Sequence, residues 1–190
     1  VLENVCTTTC YPQLAASRTA EATSLGHPLI RNADRITNDL HLQDHVLIIS
    51  GSNMSGKTTW LRTAGINIVL AKAGAPVCAE RMCCSDFRLV TSMRIADDLN
   101  EGISTFYAEL KRIKLILDSA KEDPNTLFLI DEIFRGTNSV DRLAGAKTVI
   151  TKLSQLGVTG MITTHDLELC ELQQSIKNVQ NYNFSEQYQN

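Results

Sequence analysis

The sequence predicts an α/β fold in which a mainly parallel sheet is covered by helices on both faces. Short apolar segments that fit buried strands alternate along the chain with longer segments whose apolar residues recur at helical spacing. A glycine-bearing loop separates one such strand from the first helix, and a pair of acids ends a later strand. These observations favour one domain around one sheet, because 190 residues are too few for two well-formed cores.

Periodicity and turn residues place each predicted element. Residues 1–24 are rich in Thr, Ala and Ser, and we interpret them as a linker or the frayed end of an upstream helix, with the domain itself at 25–190. Residues 75–85 are predicted to be irregular. Apolar runs bounded by turns predict strands at 27–30, 36–42, 46–50, 87–93, 127–130, 161–164 and 179–184. Helical spacing predicts helices at 57–72, 105–120, 140–153 and 166–172.

Composition and charge exclude several classes of protein. Apolar residues make up 43% of the chain and charged residues 21%, as in ordinary globular domains. The net charge of −3 lacks the basic excess of a free-standing nucleic-acid binder, so any DNA contact is expected from regions outside this chain. The apolar runs are far shorter than the ~20 residues that a membrane helix needs. Six cysteines without a C-x-x-C pair indicate reduced thiols and a cytoplasmic protein rather than a zinc site.

Residues 51–58 fit the phosphate-binding pattern G-x-x-x-x-G-K-[ST] in full. The loop lies between an apolar strand and an amphipathic helix, which is the context that the pattern requires. Glycines let the backbone curl so that N–H groups point at phosphate oxygens, and the helix N-terminus adds partial positive charge. The alternative is a glycine-rich turn with a surface lysine. The pattern therefore predicts a nucleotide site formed by Gly51, Ser52, Asn53, Met54, Ser55, Gly56, Lys57 and Thr58.

The last two residues of this loop have separate predicted roles. Lys57 is placed to neutralise the β- and γ-phosphates of a nucleotide. The hydroxyl of Thr58 is placed to ligate Mg²⁺, a cation that takes oxygen ligands.

Two acids, Asp131 and Glu132, end the apolar run 127–130. Adjacent carboxylates at the end of a buried strand are costly unless a cation or hydrogen-bond donors receive them. Strand side chains alternate in direction, so the two acids are expected to do different work. Asp131 would hold the Mg²⁺ shell, and Glu132 would polarise the attacking water. Taken without the loop, the pair could also be an ordinary solvated strand end.

Five motifs in a fixed order resemble one family, the ATPase domain of MutS-type mismatch repair proteins, a branch of the ABC-like P-loop ATPases. The resemblance runs from about residue 26 to residue 166, and its most specific motifs lie at 50–59, 97–99, 104–106, 131–137 and 163–165. It implies a P-loop NTPase fold of the ABC ATPase type, in the C-terminal part of a longer protein. It also implies that ATP with Mg²⁺ is bound and hydrolysed, which couples dimer conformation to mismatched or branched DNA.

The resemblance also implies roles for individual residues. Asn53 would lie near the γ-phosphate, and Thr59 belongs to the same nucleotide-binding motif. Ser104 resembles a signature serine that reaches the γ-phosphate held by the other protomer; the alternative is a simple helix cap. His165 matches a switch histidine beyond the γ-phosphate, so the implied catalytic residues are Glu132, His165 and Lys57. Residues 138–141 resemble a loop that crosses the dimer interface.

Three positions depart from the family pattern. Phe134 and Arg142 stand where the family commonly has Gly, both near the loop that joins the acids to the dimer interface. Arg35 aligns where the family usually has an aromatic that stacks on adenine. A guanidinium can also stack on a base.

Several alternatives remain open at the level of sequence. The intact protein could act in mismatch repair, or be a MutS-like paralogue in recombination, and its partner could be a second copy or a paralogue. An SMC or transporter ATPase would carry a Leu-Ser-Gly-Gly signature, where this chain has Gly-Ile-Ser-Thr-Phe at 102–106. A further alternative is a nucleotide-binding module with little turnover.

Overall fold

The computed structural model describes residues 6, 8–52, 54–93, 105–134 and 137–185. In chain order, the strands and helices of these residues are β1 (Gln13–Leu14), β2 (Thr19–Leu25), β3 (Asn38–Gln43), β4 (Val46–Gly51), α1 (Lys57–Lys72), β5 (Arg81–Cys84), β6 (Arg88–Ser92), α2 (Thr105–Glu122), β7 (Thr126–Asp131), α3 (Ser139–Gln155), β8 (Thr159–Thr163), α4 (Leu172–Ser175) and β9 (Val179–Phe184). Short 3-10 helices lie at Asn32–Asp34 and Leu167–Glu171.

A parallel sheet forms the centre of the domain, with strand order β6-β7-β8-β4-β9. Each neighbouring pair of strands runs parallel. The carboxyl ends of β7, β8 and β4 meet at one edge, where Thr163 is in register with both Asp131 and Ile49. The predicted α/β class and mainly parallel sheet are confirmed, and the predicted bounds of α1 and β9 are those of the structure.

Helices cover both faces of this sheet, because its central strands are apolar on both sides. In β4, the fully buried Leu47 and Ile49 face α1, whereas Val46 and Ile48 face α2 and α3. Burying a Leu or Ile side chain contributes about 1.5–3 kcal/mol each, so these paired faces supply much of the driving force for folding. The predicted two-sided cover is confirmed.

A second sheet packs beside α1, and the sequence did not predict it. Its strand order is β1-β5-β2-β3, with β2 antiparallel to both β3 and β5. Residues 1–24 were expected to be a linker or frayed helix, but they contain β1 and most of β2, and the expected boundary at 24/25 falls inside β2. Residues 75–85 were expected to be irregular, but they contain β5.

Weak hydrophobic contrast explains why β2 was missed. Its inward side chains at 20 and 22 are alanines, which carry little hydrophobic signal. A register shift between Ala22 and Leu25 also breaks the two-residue period, and Ser24 there has φ 54°.

Two further local predictions were wrong. Residues 27–30 form a turn closed by a bond from Ile30 N to His27 O (3.1 Å), not a strand. The helix expected from Asp166 to 172 is a 3-10 turn followed by the single turn α4, and the Asp166 carboxylate binds Arg142 rather than capping a helix. In the part of the chain that the structure describes, none of the helices is long and apolar enough to cross a membrane.

Candidate functional site

The loop between β4 and α1 has two glycines that its geometry requires. A Cβ at Gly51 would lie 2.4 Å from the carbonyl oxygen of Phe184, so only glycine fits there. Gly56, the N-cap of α1, has φ 92°, which favours glycine. Glycine has no side chain that could cap the helix, so the first-turn N–H groups of α1 are left for another acceptor. Asn53 lies outside the described residues.

Serines inside the loop hold its shape. The Ser55 hydroxyl donates to the Ser52 carbonyl (3.0 Å), and the Ser55 N–H bonds the same oxygen (3.4 Å). Met54, at the tip, has φ 73° and a side chain that is 97% exposed. The loop is therefore ordered by its own backbone, with an apolar side chain at its outer edge.

Lys57 lies folded into the loop that precedes it. Its Nζ donates to the carbonyl oxygens of Gly51 (2.8 Å) and Ser52 (2.6 Å). Burial lowers the pKa of this ammonium, and the charges of Glu132 and Asp131 oppose that shift. The ammonium is thus a buried cation held by neutral carbonyls, near two acids, which is an arrangement suited to receiving an anion.

Asp131 joins three elements at the edge of the parallel sheet. Its Oδ1 accepts hydrogen bonds from the hydroxyls of Thr58 (2.9 Å), on α1, and Thr163 (2.8 Å), at the end of β8. The predicted metal ligands Thr58 and Asp131 are therefore adjacent, and both offer the oxygen donors that Mg²⁺ takes. This chemistry fits the ion.

Glu132 is held in an unusual backbone conformation beside His165. Its φ is 54°, in the left-handed region that costs a non-glycine residue about 1 kcal/mol or more. Its N–H donates to the Thr163 hydroxyl (2.9 Å), and its Oε1 lies 2.7 Å from Nε2 of His165. These two contacts hold the backbone and the side chain of Glu132 beside His165.

Seven residues line one pocket of about 170 Å³ at this edge: Met54, Gly56, Lys57, Thr58, Thr59, Glu132 and His165. The fold thus brings together residues that lie as far apart in the chain as Met54 and His165. Ser104 and Asn53 lie outside the described residues. The roles assigned to the lining residues stay predictions.

Thr163 is a site residue to which the sequence reasoning assigned no role. It is fully buried, and its single hydroxyl links the Asp131 carboxylate to the Glu132 N–H. Its place beside His165 at a strand end is the signal that could have found it.

The departures from the family pattern occupy defined places. Arg35 bonds through Nε to the His27 carbonyl (3.0 Å) and through another nitrogen to Asn32 Oδ1 (2.5 Å), so it holds the 27–35 turn together. Phe134, at φ 57°, is buried, and a Cβ on Gly145 would approach its ring to 2.9 Å. Its ring also lies 6.2 Å from that of Phe106.

Fold and site together define an α/β domain in which a glycine-lysine loop and an acidic pair share one edge of a parallel sheet. Residues 47–190 match the family described as MutS domain V. The chain therefore belongs to the MutS family.

Several curated relatives are similar to this chain over most of its length. It is 35% identical over 181 residues to the DNA mismatch repair protein MutS of Chlorobium chlorochromatii, covering 90% of this chain and 20% of that protein. It is 35% identical over 156 residues to endonuclease MutS2 of Thermus thermophilus, covering 82% and 21%. It is 32% identical over 194 residues to MutS protein homolog 4 of Mus musculus, covering 97% and 20%. The chain thus spans about a fifth of the length of these relatives.

Proposed function

We propose that this chain is a P-loop ATPase domain that binds and hydrolyses ATP with Mg²⁺. The observation that carries the proposal is the convergence of Lys57, Thr58, Glu132 and His165 on one pocket beside the N-terminus of α1, with Asp131 hydrogen-bonded to Thr58. A cation, a hydroxyl, two acids and an imidazole at a helix N-terminus suit a bound triphosphate better than any apolar ligand.

The loop and Lys57 would bind the phosphates. The Lys57 ammonium donates to two loop carbonyls. On binding, it would turn from these neutral acceptors to charged phosphate oxygens, which form stronger hydrogen bonds. The first-turn N–H groups of α1 would add the partial positive charge of the helix.

Thr58 and Asp131 would hold the magnesium ion. Their oxygen atoms already lie 2.9 Å apart, close enough for both to serve one cation that takes oxygen ligands, and the Thr58 hydroxyl would keep its proton. When bound, Mg²⁺ supplies charge neutralisation at the phosphate oxygens.

Glu132 would orient and polarise the attacking water, with His165 beside it. The Glu132 side chain is 20% exposed and that of His165 37%, so both are open to the pocket. The bond between Oε1 and Nε2 holds the carboxylate in one orientation, which is the main requirement of a general base.

The active form would be a dimer, with either a second copy or a paralogue. Ser104 would complete the opposite site, and residues 138–141 would cross the interface. Val140 is 75% exposed and Leu167 is 68% exposed, and both line one groove beside His165. Apolar side chains at such a surface are consistent with a protein interface.

In the intact protein, this domain would couple ATP turnover to the binding of mismatched DNA by other regions, as in mismatch repair. The specific alternative is a paralogue that acts on recombining DNA. Phe134 favours that alternative, because it alters the segment between the acids and the expected interface.

A phosphate-release assay with Mg-ATP tests the proposal. The parent should turn over ATP with specific activity that rises with protein concentration, since the site is composite. Glu132→Gln should lose at least about 10²-fold in turnover, the usual contribution of a general base, while still binding ATP. The control is Glu122→Gln, an exposed glutamate that pairs with Arg88 at 3.3 Å and should not affect turnover.

Two outcomes would count against this function. Tight ATP binding without phosphate release in the parent would indicate a binding module. Equal turnover in the parent and in Glu132→Gln would remove Glu132 from the mechanism.

A further inference from the structure

A forked ion pair links α3 to the segment that carries His165. Arg142 donates through Nε to Asp166 Oδ2 (2.8 Å) and through Nη2 to Asp166 Oδ1 (2.9 Å). The two side chains are only 29% and 25% exposed. Bidentate guanidinium–carboxylate pairs fix both distance and direction, so this contact restrains its neighbours more than a single ionic contact does.

His165 lies between two anchored residues. On its amino side, the N–H of Thr164 donates to the carbonyl of Ile49 in β4 (3.0 Å). On its carboxyl side, the N–H of Asp166 donates to the Thr164 hydroxyl (3.0 Å), while the Asp166 carboxylate receives Arg142. The position of the imidazole therefore depends on β4 at one end and on α3 at the other.

The first turn of α3 also connects His165 with the acidic pair. Arg142 is in the first turn of α3, and its N–H donates to the carbonyl of Asn138 (3.0 Å). The Asn138 side chain in turn caps the helix by accepting from the Asp141 N–H (3.0 Å). Glu132 precedes α3 in the chain, and α3 contacts Asp166 through Arg142. The residue before Asp166 is His165, whose Nε2 lies 2.7 Å from Glu132 Oε1, so these contacts lead back to Glu132.

A neighbouring ion pair shows what an ordinary surface contact looks like here. Lys147, also on α3, approaches Glu168 at 3.9 Å, and their side chains are 39% and 66% exposed. It makes one long contact where Arg142 makes two short ones. Exposed single contacts contribute little, so Lys147 offers a matched control on the same helix and the same partner segment.

We propose that Arg142 is a positioning residue, which acts through Asp166 to hold His165 in hydrogen-bond contact with Glu132. The expected effect of Arg142 on turnover rests on the proposed ATPase function. The structural part of the inference does not, because the contact between His165 and Glu132 can be observed without turnover.

The first test follows the imidazole of His165 by NMR in the nucleotide-free chain. Arg142→Ala should move the His165 ring signals toward those of Glu132→Gln, in which the carboxylate partner is absent. Lys147→Ala should leave them at the parent positions. Asp166→Asn provides a second route to the same loss if Arg142→Ala does not fold.

The second test separates positioning from general stability. Arg142→Ala should lower kcat by about tenfold with KM for Mg-ATP changed by less than about twofold, because misplacement affects chemistry more than binding. Arg142→Lys keeps the charge without the fork and should recover only part of kcat. The exchanged pair Arg142→Asp with Asp166→Arg should recover more than either single change.

Unmoved His165 signals in both Arg142→Ala and Asp166→Asn would overturn the proposal, as would an equal movement in Lys147→Ala. A parent without turnover would refute the ATPase function but leave the ring-signal test decisive for the positioning of His165 by Arg142.

Discussion

The two sheets of this domain differ in what they contribute. The parallel sheet brings the ends of β4, β7 and β8 to one edge, and Lys57, Asp131 and His165 all follow or border those ends. The antiparallel sheet packs its buried side chains against the α1 side of the core, and none of its described residues lines the pocket. We therefore expect that the site and the packing of this fold can be changed separately.

The largest expected effect is the loss of ATP turnover when Lys57, beside the parallel sheet, is replaced. Lys57→Ala should lower Mg-ATP turnover by on the order of 10²-fold or more and weaken ATP binding, because the buried cation that we propose to bind the phosphates is lost. The free energy of unfolding should change little, since the desolvation of the ammonium offsets its two hydrogen bonds. Phosphate release and chemical denaturation measure the two quantities.

Lys72→Ala serves as the control for that change. Lys72 is at the far end of α1 and pairs with Asp86 at 3.0 Å. A fall in its turnover that matched the fall in Lys57→Ala would show that any lysine on α1 matters equally, against the assignment of the site.

An intermediate effect is expected from the antiparallel sheet. Leu42, in β3, is fully buried, so Leu42→Ala should lower the free energy of unfolding by about 2–5 kcal/mol. Turnover per folded molecule should stay at the parent value. Leu14→Ala in β1, where the side chain is 78% exposed, should change stability by no more than about 0.5 kcal/mol. A loss of turnover in folded Leu42→Ala would show that the two sheets do not have separate roles.

The smallest expected effect is a loss of stability at alkaline pH through a thiol in the antiparallel sheet. Burial raises the pKa of Cys84, in β5, from 9.0 to about 12, so the folded chain keeps a proton that the unfolded chain loses. The stability linked to this thiol is fully present below pH 9 and is lost as the pH rises toward 12.

Thermal unfolding between pH 8 and about pH 10.5 would measure this linkage. The parent should lose stability over that range more steeply than Cys84→Ala. The control is Cys170→Ala, which should keep the parent slope. Equal slopes in the parent and in Cys84→Ala would show that Cys84 does not carry the effect.

The site was predictable where its residues are close in sequence. Residues 51–58 match a continuous pattern, and the acids at 131 and 132 follow a continuous apolar run, so local chemistry was enough to single them out. Thr163 offered only its place at a strand end near His165, and the pair Arg142–Asp166 offered no continuous pattern. Their roles depend on contacts across 24 to 32 positions, and nothing in the spacing of these residues reveals such a contact.

The sequence alone determined the apolar strands, the helices α1 to α3, the loop before Lys57 and the acidic pair, because each is encoded by neighbouring residues. The folded chain was needed to show that β8 lies between β7 and β4, which puts Thr163 against Asp131 and His165 against Glu132. It was also needed to show that weakly patterned segments such as β2 form a second sheet. The physical reason is that strand order and packing depend on the free energy of the whole core, to which side chains distant in the chain contribute together.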